Sequence, residues 1–164
     1  MANLLADWVP LELEVTQGMS ALAGININSK IMDLGCGDGT AMETIIGYGV
    51  KPANVWGVEI DTDLYNIALG KGLNVINDDL FNLDYSGYDV VFFWFNFDPL
   101  LVTLMDKLYA ELKNNKKVVC LHSSRQQWRD GIYVPEESYP IIPCAWQPTS
   151  FNEILGNRFY LYVR

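Results

Sequence analysis

Cysteine is scarce in this chain: Cys36, Cys120 and Cys144 are odd in number, widely spaced and form no C-x-x-C pair, which favours free thiols over a disulfide framework or a zinc site. Histidine is scarcer still, with His122 alone. The longest uninterrupted apolar run, Val90 to Phe95, is far too short to cross a bilayer. No basic residue precedes Lys30, so the charged start of a secretory or mitochondrial signal is missing, and a cytoplasmic location is the expectation. Internal repeats and low-complexity tracts are lacking too. Basic residues are few in the first half: residues 1–82 hold 11 acids and 3 bases (net -8), whereas residues 83–164 hold 9 acids and 8 bases (net -1). Such a field disfavours phosphate backbones and attracts cations, and it also serves solubility.

What remains is ample for a core. Half of the 164 residues are hydrophobic and 13% are aromatic, enough to exclude a disordered chain and to build one domain over 1–164. We divide it into an N-terminal helix and lead-in (1–29), a cofactor-binding core (30–121), and a C-terminal strand pair with a substrate-side loop (122–164). The chain is too short for a separate substrate domain.

The most informative stretch is Lys30 to Thr40. Ile31, Met32 and Leu34 form a short apolar run, Gly35, Gly37 and Gly39 follow at once, and Met42, Ile45 and Ile46 have helical spacing: strand, tight turn, helix start. Glycine at alternate positions permits positive φ and leaves no Cβ between backbone and ligand. A dinucleotide fingerprint would read G-x-G-x-x-G, but these glycines read G-x-G-x-G. Asp33 and Asp38 would repel a pyrophosphate, so a cationic ligand fits better.

This run resembles the first motif of class I S-adenosylmethionine-dependent methyltransferases, an aliphatic stretch followed by Asp-Leu-Gly-Cys-Gly, a variable residue and Gly. The resemblance implies a Rossmann-like α/β fold: one doubly wound, mostly parallel, seven-stranded sheet ending in an antiparallel pair, with the seventh strand inserted beside the fifth. It implies S-adenosylmethionine as cofactor and S-adenosylhomocysteine as product. In that family the acid at the Asp33 position lies near the cofactor's ammonium, and a small residue fills the Cys36 position.

The remaining elements follow the same rhythm. Leu11 to Ala23 reads as a helix with Val15, Met19 and Leu22 on one face and a stop at Gly24. Asn54 to Asp61 reads as the second strand, and Glu59, at the acidic position of the family's second motif, is expected to accept from the ribose hydroxyls. Asp61 is expected to cap a helix whose inward residues are Leu64, Ile67 and Ala68. The third strand, about Asn74 to Asn77, leads to Asp79, where the resemblance places a carboxylate meeting the adenine amino group; Asp78 reads as a solvated turn residue. Between Leu80 and Gly87 there is too little chain for a crossover helix. Val90 to Phe95 reads as a buried fourth strand, followed by an amphipathic helix after Pro99, with Leu101, Leu104 and Leu108, and a fifth strand over Lys117 to Leu121. Tyr139 to Trp146 and Arg158 to Arg164 read as the terminal antiparallel pair.

The resemblance thus implies a cofactor set of Asp33, Leu34, Gly35, Cys36, Gly37, Gly39, Glu59, Ile60, Asp79, Leu80 and Phe95. Taken together, Gly-Val-Glu-Ile-Asp, Asp-Leu-Phe-Asn-Leu-Asp, Tyr-Asp-Val-Val, the closing Phe-Tyr-Leu-Tyr and Val9-Pro10 are similar to a compact branch of protein-lysine methyltransferases. That branch carries an aromatic, aliphatics and proline after the fourth strand, where this chain has Trp94-Phe-Asn-Phe-Asp-Pro. Candidate catalytic residues are Trp94, as an aromatic wall for an ammonium or as core; Asn96, as a hydrogen-bond partner of the acceptor nitrogen; and Asp98, as a base or as a helix cap. His122 fits either a base or a polar strand end. No metal site is expected. The acceptor is expected to be a protein lysine, with a small molecule as the alternative; nucleic acid is not expected, because an Asn/Asp-Pro-Pro-aromatic motif is missing at Asn96-Phe-Asp-Pro. A non-catalytic cofactor-binding protein is the third reading. Oligomeric state is open.

Overall fold

The computed structural model describes residues 11–94, 98–124, 128–129, 132–133 and 144–164, with the backbone alone at 98–99, 121–124, 128–129 and 132–133. The chain runs α1 (Leu13–Ala23), β1 (Ile31–Leu34), α2 (Thr40–Gly47), β2 (Val55–Glu59), α3 (Thr62–Gly70), β3 (Asn74–Asn77), β4 (Val90–Phe93), α4 (Asp98–Glu111), β5 (Lys117–Ser124), β6 (Trp128–Arg129), β7 (Ile132–Tyr133), β8 (Ser150–Ile154) and β9 (Asn157–Val163). The main sheet has seven strands in the order β3-β2-β1-β4-β5-β9-β8, and β6 pairs with β7 separately. The five strands from β3 to β5 are parallel, and β9 and β8 close the sheet antiparallel, as expected.

Strand alternation divides the core in two. Ile31, Val55, Val90, Phe92 and Val119 meet Val15 and Met19 of α1, Met42 and Ile45 of α2, and Ala68 of α3. Met32, Leu34, Val58, Val91, Phe93, Val118 and Cys120 meet the leucines of α4. Helix α1 forms because Val15, Met19 and Ala23 recur at four-residue spacing on its buried face, and it ends at Gly24 with φ 64°. The Lys117 ammonium donates to Ala23 O at 2.6 Å, tying the negative end of that helix to the start of β5.

The crossover from β3 to β4 has no helix. A 3-10 turn over Leu80–Asn82 and the buried ring of Tyr85 take its place: the Tyr85 hydroxyl donates to Leu80 O, and its amide donates to Glu111 Oε2 at 2.8 Å. This loop covers the sheet less fully than a helix would. Trp56, which pairs in register with Met32 and Asn74, stays 36% exposed.

Three expectations need correction. Ile67 does not point inward but is 50% exposed, because α3 lies over the β2–β3 border and presents Ala68 to it. The edge strand is β8, not Tyr139 to Trp146. Residues 139–143 lie outside the described residues, Cys144 and Ala145 form a bend, and Trp146 packs edge-on against Tyr109 and Tyr162. The hairpin partner is instead set by Leu155 and Gly156, whose φ of 51° and 77° make a two-residue turn that returns the chain directly onto β9. Finally, β5 continues through His122 to Ser124. Leu121 pairs with Phe159 and Ser123 with Arg158, so His122 is the extra residue of a bulge.

Two glycines respond oppositely to an added methyl. At Gly57 a Cβ would stand 2.6 Å from Cys36 Sγ and 2.7 Å from Met42 Sδ, whereas at Gly47, the last residue of α2, it would meet nothing within 4 Å. Gly57→Ala is expected to destabilise by about 1–3 kcal/mol through overpacking, and Gly47→Ala to stabilise by about 0.5–1 kcal/mol. Urea midpoints of the two variants check both signs.

Candidate cofactor site

Strand order reverses at β1: the chain steps from β1 outward through β2 to β3, then returns to β4 on the other flank of β1. Ligands of such sheets lie in the crevice at the carboxyl ends of the strands beside that reversal. At this point the structure places the Gly35–Gly39 turn after β1, Glu59 at the end of β2 and Trp94 after β4.

The turn uses its glycines as glycines. Gly35, Gly37 and Gly39 have φ of 67°, 56° and 82°, all in the left-handed region that side chains disfavour. Gly39 also sits where a Cβ would be 2.2 Å from Leu73 Cδ1. The amides of Gly35 and Cys36 both donate to Val58 O, at 2.9 and 3.1 Å, so the turn is bound to β2 by its backbone. Glu59, 7% exposed, adds a second fastening. Its Oε2 accepts from the Gly37 amide at 2.8 Å and its Oε1 from the Asp61 amide at 2.9 Å. Asp61 in turn caps α3, accepting from the amides of Asp63 and Leu64, as its position after the strand predicts.

Asp33 lies beneath this turn at 0% exposure, and neither carboxyl oxygen has a hydrogen-bond partner among the described residues. Burial, and then the neighbouring Glu59 carboxylate, push its carboxyl well above the usual carboxylate range. Burial likewise raises the Cys36 thiol, with Asp33 and Glu59 adding to it, so this cysteine is an inert filler rather than a nucleophile. Asp38 behaves differently. Partial burial raises it, but hydrogen bonds from Thr40 and the Lys71 ammonium outweigh this and hold it below its ordinary value. Its Oδ1 accepts from the Thr40 amide and hydroxyl, and Lys71 bridges it to Glu43 at 3.3 and 3.1 Å.

The other expected site residues are dispersed. Leu34 is core on the α4 side, Leu80 is half-buried against that core, and Ile60 is 44% exposed beside Glu59. Asp79 is exposed and accepts from the Phe81 amide at 2.9 Å. Asp78, read as a turn residue, accepts from the Asp79 amide and the Asn82 side chain. Trp94 is half-buried and leans on the α1-side core. Asp98 begins α4, with its side chain outside the described residues; Phe95 and Asn96 lie outside them entirely.

Several residues of the site were not foreseen. Gly57 makes room for Cys36, and an isolated glycine within a strand was the signal for that close approach. Asn77 donates to Glu59 O at 2.9 Å and to Ile60 O at 3.3 Å, fixing the end of β2, and nothing in its sequence context marks it. An open depression lined by Lys113, Asn114, Asn115 and Arg164 lies beside the start of β5, away from this site.

Residues 19–118 match the family model described as methionine biosynthesis protein MetW. The chain belongs to the MetW family. No functionally curated protein matches it. Among solved structures it is similar to an RNA methyltransferase from Salinibacter ruber in complex with S-adenosyl-L-homocysteine, at 22% identity and TM-score 0.72 over 94% of this chain and 93% of that one. It is also similar to magnesium protoporphyrin IX methyltransferase (ChlM) from Synechocystis PCC 6803 with bound S-adenosylhomocysteine, at 12% identity and TM-score 0.65 over 93% and 81% of the two chains. An S-adenosylmethionine-dependent methyltransferase from Mesorhizobium loti matches at 12% identity and TM-score 0.65, over 93% of this chain and 100% of its own. This MetW-family chain therefore has the class I methyltransferase fold. No helix among its described residues is long and apolar enough to cross a membrane.

The carboxyl of Asp33 makes a prediction for the free protein. Its folded value is raised above the unfolded one, so the native state binds the extra proton and stability falls as pH rises from about 4 through the folded value. Asp33→Asn removes that loss. The free variant is expected to gain stability relative to wild type as pH rises from about 4 towards neutrality, with the difference closing again towards about pH 4; thermal melts across that range check it.

Proposed function

We propose that this chain binds S-adenosylmethionine at the Gly35–Gly39 turn and transfers its methyl group, with a protein lysine amine as the acceptor. The observation that carries the cofactor assignment is Asp33: a fully buried carboxyl whose two oxygens have no partner among the described residues, set under a glycine turn, matches a cationic ligand and opposes a phosphate. The three positive-φ glycines let a ligand approach the backbone closely. Glu59 holds the turn through Gly37 and keeps further lone pairs for ribose hydroxyls, and Asp79 and Ile60 serve the adenine side. The fold, shared with methyltransferases crystallised with this cofactor or its product, supports the same assignment.

When bound, the cofactor supplies a sulfonium-activated methyl group. The chain's part is to orient the acceptor, strip it of water and take its proton, since positioning and desolvation supply much of the rate in such a displacement. In this reading Trp94 forms a wall of the acceptor channel, Asn96 hydrogen-bonds the acceptor nitrogen, and Asp98 draws in the lysine cation or takes its proton. One feature supports a lysine acceptor: the net charge of -9 attracts a cationic side chain and repels a nucleic-acid backbone. A small-molecule acceptor is the second reading, favoured by the likeness to a protoporphyrin methyltransferase over 93% of this chain.

The test is transfer of labelled methyl from S-adenosylmethionine into a cell extract, with and without chemical blocking of its lysines, for wild type and Gly37→Val. Wild type is expected to label protein only when lysines are free. Gly37→Val, which forces a β-branched residue to φ 56°, is expected to lose at least about tenfold in cofactor affinity and in labelling. Label confined to small molecules or to RNA would overturn the lysine acceptor. Cofactor binding without any transfer would mark a non-catalytic protein.

A further inference from the structure

We propose that Asp33 is carried as the neutral acid in the free protein and gives up its proton to solvent as the cofactor's ammonium arrives, so that cofactor uptake and proton release are one coupled event. This rests on the cofactor assignment above and adds to it a charge-selection mechanism.

Asp33 lies mid-sheet, in register with Gly57 of β2 and Phe92 of β4, and neither side chain offers a donor. Above it, the Cys36 thiol is directed to Gly37 O at 3.9 Å rather than to the carboxyl. Helix α2 contributes Ala41, Met42 and Ile45 to the buried region, all apolar. The charged groups of the neighbourhood give no relief. Glu59 is a second acid whose two oxygens are engaged by the amides of Gly37 and Asp61, while Asp38 and Glu43 are drawn outward to Lys71. From β4, Phe92 and Trp94 bring no charge. A carboxylate here would be an anion beside another anion, with no hydrogen-bond partner among the described residues, and the neutral acid avoids that cost. An ammonium brought alongside reverses the balance: the O–H bond of the acid breaks, the proton passes to water, and the carboxylate remains as one half of a charge-assisted pair. Charge is conserved across the step, a neutral acid and a cation giving an ion pair and a proton.

The coupling selects for charge. A ligand that brings no cation gains nothing from ionising Asp33, whereas a cationic one binds up to about tenfold tighter for each pH unit gained below the titration midpoint of the free acid. At about pH 6 the ligand's own ammonium stays charged, so any proton released comes from the protein.

The experiment is calorimetric titration of S-adenosylhomocysteine into the full chain at about pH 6, in two buffers of different ionisation enthalpy. Wild type is expected to release about one proton per ligand bound, and Asp33→Asn none. Saturable binding to wild type with no proton release overturns the proposal and leaves the cofactor assignment standing; no saturable binding overturns both. Equal proton release from Asp33→Asn would move the coupling to another group and overturn the proposal as well. The 13Cγ resonance of Asp33 in wild type supplies a readout independent of the variant's folding. It is expected at the position of a protonated acid in the free protein and of a carboxylate at saturation. A carboxylate position before ligand is added overturns the proposal.

Discussion

The turn between β1 and α2 is fastened to the end of β2, and the rest of the cofactor site depends on that fastening. Val58 O receives two amides from the turn, and the Glu59 carboxylate receives a third from Gly37. These bonds hold the backbone at three consecutive odd positions in the left-handed region, where only glycine sits without strain. Gly57 lies beneath, lacking the Cβ that would strike Cys36 and Met42. The same Glu59 also receives the Asp61 amide, so the start of α3 is aligned by the residue that aligns the turn. One carboxylate thereby coordinates two helix starts and the ligand-facing loop.

This arrangement leaves Asp33 in an unusual position. Donors of the turn and its surroundings are committed elsewhere: the amides of Gly35 and Cys36 to Val58, that of Gly37 to Glu59 and that of Gly39 to Cys36, the Thr40 amide and hydroxyl to Asp38, and Lys71 to Asp38 and Glu43. A chain selected for stability alone would not keep a partnerless acid in the middle of a sheet, because the desolvation cost has no return within the fold. In the proposed function the return lies in binding: stability given up in the free protein yields a site that favours a cation, a trade seen where function and packing compete for the same residue.

Away from the site, the fold shows how a small chain economises. Most doubly wound sheets place a helix in each crossover, but here the β3–β4 connection is a loop held down by Tyr85, through its hydroxyl to Leu80 O and its amide to Glu111. The layer on that side is consequently thin, which is why Trp56 keeps part of its ring in solvent. At the far edge, the hairpin of β8 and β9 closes the sheet with a two-residue turn, and the amide of Glu153 is satisfied by the preceding Asn152 side chain. That bond blunts the edge against further strand addition.

Much of this was legible in the chain itself. Alternation within Ile31–Leu34 and Val90–Phe93, the glycine triplet, the stop at Gly24 and the cap at Asp61 are local signals, since backbone conformation and periodicity act over a few residues. They sufficed for the strand order through family resemblance and for the missing crossover helix, and they singled out Asp33 and Glu59, two acids that the fold brings close together beside the glycine turn. Tertiary structure decided the rest. Which stretch forms the edge strand depended on the turn at Leu155 and Gly156 and on Trp146 finding a slot between Tyr109 and Tyr162, contacts that join distant parts of the chain. That Glu59 fastens the turn, that Gly57 must lack a side chain, and that Asp33 is left without a partner are statements about which groups meet across strands. An acid in a sequence carries a charge at neutral pH by default, and only its buried surroundings, assembled from β1, β2, β4 and α2, can take that charge away.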